Sequence, residues 1–73
     1  MNNEEILLVQ TYLRKKFRLD TLVLHRRANK DDSVEVMLGD EFIGVIYKDD
    51  EDGEVSYDFN MAILEFDLHD EDQ

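Results

Sequence analysis

Residues Tyr47–Phe59 read YKDDEDGEVSYDF, where four consecutive acids run into Gly53 between two segments of alternating apolar residues. Such a stretch fits either a calcium-binding loop or a turn between two strands. An EF-hand loop needs oxygen ligands at positions 1, 3 and 5, glycine at position 6 and a bidentate glutamate at position 12. With Gly53 at position 6, Lys48 falls at position 1 and Phe59 at position 12, and neither side chain is a calcium ligand. The spacing excludes an EF-hand and predicts no calcium affinity tighter than about millimolar.

A β-hairpin is the second structure, and the alternation on both sides of the turn sets its register. The apolar positions are Ile43, Val45 and Tyr47 before the turn, and Val55, Tyr57, Phe59, Met61 and Ile63 after it. A two-residue loop would set Tyr47 opposite Asp58, whereas a three-residue loop sets Tyr47 opposite Tyr57. The three-residue loop places Gly53 last, in the left-handed conformation that glycine adopts readily. We therefore predict the Tyr47–Tyr57 register and a positive φ at Gly53.

Two more strands precede this hairpin. Ser33–Leu38 (SVEVML) alternates like a strand, and the following Gly39–Asp40 predicts a type II′ turn that pairs Val36 with Ile43. Thr21–Ala28 (TLVLHRRA) predicts the first strand, and the polar residues Asn29–Ser33 predict a loop.

A helix is predicted from Asn3 to Phe17, with Asn2 or Asn3 as its cap and two acids in its first turn. Its main apolar stripe has helical spacing and consists of Ile6, Val9, Leu13 and Phe17. Leu8 and Tyr12 form a second apolar edge, which a helix covering one sheet does not need.

These elements predict an α+β fold in which the N-terminal helix packs on a four-stranded antiparallel β-meander, in the order α-β-β-β-β. We expect one small domain over residues 1–73, with residues 69–73 as a disordered acidic tail. After Ile63 the alternation changes phase, which indicates either a bulged strand or a short helix within Asn60–Leu68. The bulge is favoured because Glu65 and Asp67 continue the alternation, and such a strand would overhang its neighbour.

Length and composition limit the class of protein. The chain of 73 residues has no cysteine, no apolar run that could span a bilayer, and an acidic N-terminus unlike a signal peptide. We therefore expect a cytoplasmic protein without membrane association. A chain this small buries only about 60% of its unfolded surface, so we also expect a homodimer.

Charge is distributed unevenly along the chain. Residues 1–30 hold seven basic residues against three acids (+4), and residues 31–73 hold sixteen acids against Lys48 (−15), which together give −11. Two interpretations fit this distribution. In the first, the two halves neutralise each other within one fold or across a dimer; in the second, the basic residues bind RNA phosphates. The candidate phosphate-binding residues are Arg14, Lys15, Arg18, Arg26 and Arg27.

Catalytic patterns are absent from the sequence. No serine lies in a nucleophile elbow, no histidine has triad spacing, and the three glycines form no phosphate-binding loop. His25 is expected at a solvent-facing strand position, and His69 with Asp67 and Asp70 lies in the tail region, where a metal site is disfavoured. We predict a non-enzymatic protein with no cofactor and no metal.

The leading hypothesis is therefore a protein–protein interaction module with an unknown protein partner. The predicted binding surface consists of apolar side chains that the predicted fold does not bury. Three of them lie beside a shallow gap at Gly44. The candidate residues are Leu8, Tyr12, Met37, Phe42 and Ile46.

Nearly the whole chain resembles a family of short alphaproteobacterial proteins known as domain of unknown function 3126. The similarity is carried by NNEEI, TYLRKKF, KDDSVEV, GDEFIGV, the DDEDGE–SY turn and FNMAILEFDL. This resemblance implies lineage and compartment, and it transfers no site because the family has no assigned activity. EVSYDFNMAILEFD also resembles the first motif of Sm-like RNA-binding barrels, but over one strand only and with no second motif.

Overall fold

A computed structural model describes residues 1–69 and contains one helix, four strands and a final short helix. The four strands form one antiparallel sheet in the order β1-β2-β3-β4, which confirms the predicted α+β meander. The elements are α1 (Asn3–Phe17), β1 (Leu22–Arg27), β2 (Lys30–Leu38), β3 (Glu41–Asp49), β4 (Ser56–Asn60) and α2 (Glu65–Leu68).

Helix α1 has well-defined ends. Asn2 caps it by accepting a hydrogen bond from the Glu5 amide at 2.8 Å, and the Glu5 carboxylate accepts one from the Asn2 amide at 3.0 Å. This reciprocal pair satisfies two N–H groups that the first turn leaves without helical partners. Arg18 ends the helix in the left-handed conformation, with φ 56°. The predicted bounds of α1 are confirmed.

Side chains of α1 cover the outer edge of β1. The Arg14 Nε donates to the Leu22 carbonyl at 2.7 Å, and the Leu24 amide donates to the Gln10 side chain at 3.0 Å. Further along, Arg26 donates to the Asn3 side chain at 2.6 Å. The first two bonds use backbone groups of β1 that would otherwise be available for pairing with another chain.

The core lies between α1 and the first three strands. It contains one face of the helix and alternate residues of the sheet: Ile6, Leu13, Leu22, Leu24, Val34, Val36 and Ile46. The predicted apolar stripe of α1 is confirmed for Ile6 and Leu13, and Val9 packs against the same core, whereas Phe17 is 47% exposed.

A bulge changes the phase of β3. Gly39 has φ 60° at the predicted turn, but the register shifts beyond Met37, so that Val36 pairs with Gly44 rather than with Ile43. The inserted residue reverses which side chains of β3 face the helix. Ile46 is consequently 1% exposed, which contradicts its predicted place on an interaction surface.

The same reversal changes the β3–β4 register. Tyr47 pairs with Asp58 and Ile46 with Phe59, so the predicted Tyr47–Tyr57 register is wrong by one residue. The strands end at Asp49 and Ser56, which leaves a longer turn than the predicted three residues. Gly53 nevertheless has φ 83°, as predicted. The register prediction failed because it assumed an unbulged β3.

Gly44 of β3 lies directly against Phe59 and Asn60 of β4. A Cβ atom at Gly44 would lie 2.7 Å from the Phe59 ring and closer still to the Asn60 carbonyl oxygen. Only glycine fits here without a shift of the backbone. The predicted shallow gap at Gly44 is therefore occupied by β4.

The loop before β2 is shorter than predicted. The turn consists of Ala28 and Asn29, and β2 begins at Lys30, so the predicted loop Asn29–Ser33 is wrong over most of its length. Asn29 has φ 61°, a conformation that asparagine tolerates better than most residues. The Ser33 side chain is buried, and its hydroxyl accepts a hydrogen bond from Arg27 at 3.1 Å.

The chain leaves the sheet earlier than the alternation predicted. β4 ends at Asn60, and Glu65–Leu68 forms the short helix α2, so the favoured bulged strand and its overhang are wrong. The Asp67 carboxylate accepts a hydrogen bond from the Leu64 amide at 3.3 Å, which supports the first turn of α2. Of the predicted tail, residues 69–73, only His69 is among the described residues. Within residues 1–69, neither helix has the length and apolar character needed to cross a membrane.

Candidate functional site

A groove runs between α1 and β4 on the helix side of the sheet. It arises because α1 packs mainly against β1 and leaves the inner face of β3 and β4 partly uncovered. The groove encloses about 350 Å³ and is predominantly apolar. We call it the α1–β4 groove; its lining residues are Glu5, Leu8, Val9, Tyr12, Leu13, Ile46, Tyr57 and Phe59.

Large apolar side chains form both walls of the groove. Leu8 and Tyr12 stand on the helix wall with 66% and 59% of their surface exposed. Phe59 stands on the strand wall, and its ring meets Phe17 edge-on with centroids 6.4 Å apart. When a partner covers aromatic and aliphatic side chains in such a recess, the burial of their apolar surface stabilises the complex.

A polar cluster closes one end of the groove. The Glu5 carboxylate lies 2.6 Å from the Lys48 ammonium of β3 and accepts a hydrogen bond at 2.7 Å from the Tyr57 hydroxyl of β4. One helix residue therefore connects α1 to the two strands that α1 covers least. The cluster fixes the width of the groove at the N-terminal end of the helix.

Hydrogen bonding accounts for the acidity of Glu5. The Lys48 ammonium, then the Asn2 amide and the Tyr57 hydroxyl, lower the pKa of Glu5 from its usual 4.5 to about 2. In return the carboxylate raises the pKa of Lys48 and of Tyr57. All three groups keep their neutral-pH charge states across the ordinary range, so the cluster acts as a fixed structural clamp rather than as a general acid or base.

The other end of the groove is basic. The Lys16 ammonium lies 5.8 Å above the centre of the Tyr12 ring, within cation–π distance. Lys15 and Lys16 are located in the last turn of α1, where cations stabilise the negative end of the helix.

A second apolar surface is formed by the chain after β4. The residues Met61–Leu68 read MAILEFDL, and Phe66 is 79% exposed. Met61, Ala62 and Leu64 border a second cleft of about 670 Å³ against β3, which Phe42 and Tyr47 also line. This cleft lies beside the stretch of β3, Glu41–Gly44, that β4 does not pair with.

The predicted interaction residues do not form one surface. Leu8 and Tyr12 share the α1–β4 groove, whereas Phe42 lines the second cleft and its strand partner Met37 is half-buried. Ile46 is in the core, and only its edge reaches the floor of the groove.

The strand wall of the groove was missed by sequence reasoning. In the sequence, Tyr57 and Phe59 are alternating apolar positions of a predicted strand, and in the structure they line the groove. Their alternation pattern cannot show that the helix leaves β4 uncovered. No sequence pattern indicates the contact of Glu5 with Lys48, because the two residues are 43 positions apart in the chain.

The predicted phosphate-binding residues are separated. Arg26 contacts Asn3 and Met1 at the N-terminal end of α1, whereas Arg14, Lys15 and Arg18 are located at its C-terminal end. A helix rises about 1.5 Å per residue, so the two groups lie roughly 15 Å apart along it. Arg14, Arg26 and Arg27 also use their guanidinium groups for hydrogen bonds within the chain.

Residues 1–69 contain no group of three or more acids and histidines arranged to hold a metal ion. His25 is exposed on β1, and His69 lies 3.9 Å from Glu65 on the surface. Asp70, the third member of the predicted tail group, is outside the described residues. The likeness to Sm-like barrels also fails structurally, because the matching strand is the last of an unclosed sheet and is followed by coil and helix.

Fold and groove together define a small α+β protein whose antiparallel meander carries one helix and an uncovered apolar recess. The chain belongs to the DUF3126 family of proteins of unknown function, whose sequence profile matches residues 5–67. No match is found among curated proteins or among solved structures.

Proposed function

We propose that this protein is a non-enzymatic, cytoplasmic protein-interaction module that binds an apolar protein segment in the α1–β4 groove. The observation that supports the proposal is the exposure of Leu8 and Tyr12 directly beside the aromatic wall formed by Phe59. Isolated surface leucines are ordinary, but a recess with three aromatic side chains and an exposed leucine is typical of a binding site.

The groove has the composition of a protein-binding hot spot. Tyrosine and phenylalanine offer large contact area at little cost in side-chain entropy, and Ile46 and Leu13 provide a rigid floor. The Glu5–Lys48–Tyr57 cluster fixes the two walls of the groove relative to each other before a partner binds. Binding therefore loses little free energy to ordering of the groove. A partner segment would bury apolar side chains against Leu8, Tyr12 and Phe59.

Nucleic-acid binding receives less support. Three of the five candidate cations already donate hydrogen bonds within the chain, and the five are divided between the two ends of α1. The net charge of −11 also repels a polyanion at long range.

Affinity purification of the tagged full chain from its native cells tests the proposed function. Leu8→Glu and Tyr12→Glu each place a charge in the groove, and Leu7→Glu makes the same change at an exposed helix position outside it. We expect the two groove variants to lose the captured proteins, Leu7→Glu to retain them, and nuclease treatment to have no effect.

The opposite pattern would favour RNA. Capture that nuclease abolishes, or that Lys15→Ala and Arg18→Ala abolish while Leu8→Glu does not, contradicts the proposed function.

A further inference from the structure

We propose that the occupant of the α1–β4 groove is the Met61–Leu68 segment of a second copy of this chain, so that two copies exchange C-terminal segments. This inference rests on the proposed function, since it names the partner of the same groove. Three observations carry it: the apolar surface of the segment, its charge, and the direction in which it leaves the sheet.

The segment holds more of the exposed large hydrophobic residues than any helix or strand within residues 1–60. Of the thirteen large hydrophobic residues that are exposed, five lie within these eight residues: Met61, Ile63, Leu64, Phe66 and Leu68. A small domain that leaves so much apolar surface uncovered gains stability by associating. The groove offers an apolar recess of matching character, with aromatic side chains available to contact Phe66.

The charges of segment and groove are complementary. The segment carries Glu65 and Asp67, and the basic end of the groove carries the exposed Lys15 and Lys16. Within residues 1–69, neither ion pair uses any of the seven basic residues of the first thirty positions. An acidic apolar segment would place its carboxylates near these lysines, which favours this occupant over a neutral or basic one.

The path of the chain favours a second copy over the groove of the same chain. Glu5 meets Tyr57 and Phe17 meets Phe59, so β4 runs in the same direction as α1. The segment therefore leaves the sheet at the basic end of its own groove and continues away from it, past Gly44 of β3. Entry into its own groove needs a reversal immediately after Asn60, whereas a second copy can receive the segment as it stands.

Sedimentation velocity over a concentration series tests the exchange on the purified full chain. Leu8→Glu disrupts the groove and Phe66→Glu disrupts the segment, while Leu7→Glu and Val55→Glu change exposed apolar residues outside both. We expect a dimer for the unmodified chain and both controls. Each disruptive variant should raise the dimer Kd by at least about 30-fold, the loss expected for a hot-spot residue. Circular dichroism establishes that every variant is folded.

Mixing the two disruptive variants gives the sharpest result. The Phe66→Glu chain retains an intact groove and the Leu8→Glu chain retains an intact segment, so a one-to-one mixture should regain heterodimer through one groove–segment contact. A symmetrical contact between two grooves or two β4 edges cannot be restored in this way. A folded Phe66→Glu variant that stays dimeric, or a mixture that stays monomeric, overturns the exchange.

The two proposals fail differently. An unmodified chain that is monomeric at all concentrations, but whose capture of other proteins depends on Leu8, overturns the exchange and leaves the proposed function standing. If Leu8→Glu changes neither self-association nor capture, the groove is not a binding site and both proposals fall.

Discussion

The two edges of the sheet are treated differently by the same helix. Along β1, Arg14 and Gln10 of α1 bond directly to the strand backbone and shield that edge from other chains. Along β4, the one polar link from α1 within residues 1–69 is the contact of Glu5 with Tyr57, and the recess beside it stays uncovered. The β1 side is complete within one chain, whereas the β4 side displays the aromatic wall and the segment after Asn60. This difference favours the β4 side as the place of the proposed association.

The largest effect should come from the core on the β1 side. Leu24→Ala removes a buried side chain beneath α1 and should lower the free energy of unfolding by about 2–5 kcal/mol. Leu64→Ala shortens a side chain that is 59% exposed on the β4 side, and it should have little effect at concentrations where the chain is monomeric. Urea unfolding of both variants measures the contrast, and equal losses would show that the β4 side is packed within one chain.

A second prediction concerns the junction of the two sides at Gly44. Gly44→Ala adds a methyl group against the Phe59 ring and the Asn60 carbonyl, so we expect a loss of roughly 1–3 kcal/mol from overpacking. Gly39→Ala is the matched control, because nothing lies within 4 Å of its added Cβ and its cost comes from backbone conformation alone. If Gly44→Ala costs less than Gly39→Ala, the bulged register of β3 is wrong.

A smaller loss is expected at the acidic turn. Gly53 has φ 83° with open space around it, so Gly53→Val should destabilise by about 1 kcal/mol through backbone strain alone. Asp52→Asn removes a charge from the same exposed turn and should have a smaller effect. Thermal unfolding compares the two, and similar small shifts for both would argue against the left-handed conformation at Gly53.

The smallest expected effect is the pH dependence of the Glu5 clamp. Because the pKa of Glu5 falls from 4.5 to about 2 on folding, its contribution to stability is fully present above pH 4.5 and is lost as the pH falls toward about 2. Glu5→Gln should therefore be less stable than the unmodified chain at pH 7, with the difference shrinking below pH 4.5. Chemical unfolding at pH 7, 4.5 and 3 checks the sign, and a difference that grows at low pH contradicts it.

Periodicity predicted the elements well where one face of each is buried in the same core. Spacing predicted helix α1, β1 and the alternation of β2, and the turn chemistry of glycine predicted the left-handed Gly53 even though the predicted loop length was wrong. The sequence pattern does not predict the bulge at Ile43. Both faces of β3 present apolar residues, so a register shift of one residue causes no obvious loss of apolar burial. That single error carried over into the β4 register and the placement of Ile46.

The candidate site was only half predictable. A helix that covers one sheet needs a single apolar stripe, so Leu8 and Tyr12 were predictable as apolar residues outside the core. Both are exposed in the structure. Tyr57 and Phe59 could not be assigned to the same groove, because alternation records which face a side chain is on and not whether a helix covers it. Alternation of the apolar residues in Met61–Leu68 favours a bulged strand over a short helix, whereas the exposure of this segment follows from the end of β4 at Asn60, beside Gly44 of β3.

Amide hydrogen exchange at increasing protein concentration tests the central claim, that the β1 side is complete in one chain and the β4 side is completed by a second copy. Protection of Leu24 and Val36 should be the same at every concentration below and above the dimer Kd. Protection in Met61–Leu68 should be absent at low concentration and should rise with the dimer fraction. Protection of this segment that does not change with concentration, whether absent or present throughout, would contradict the account.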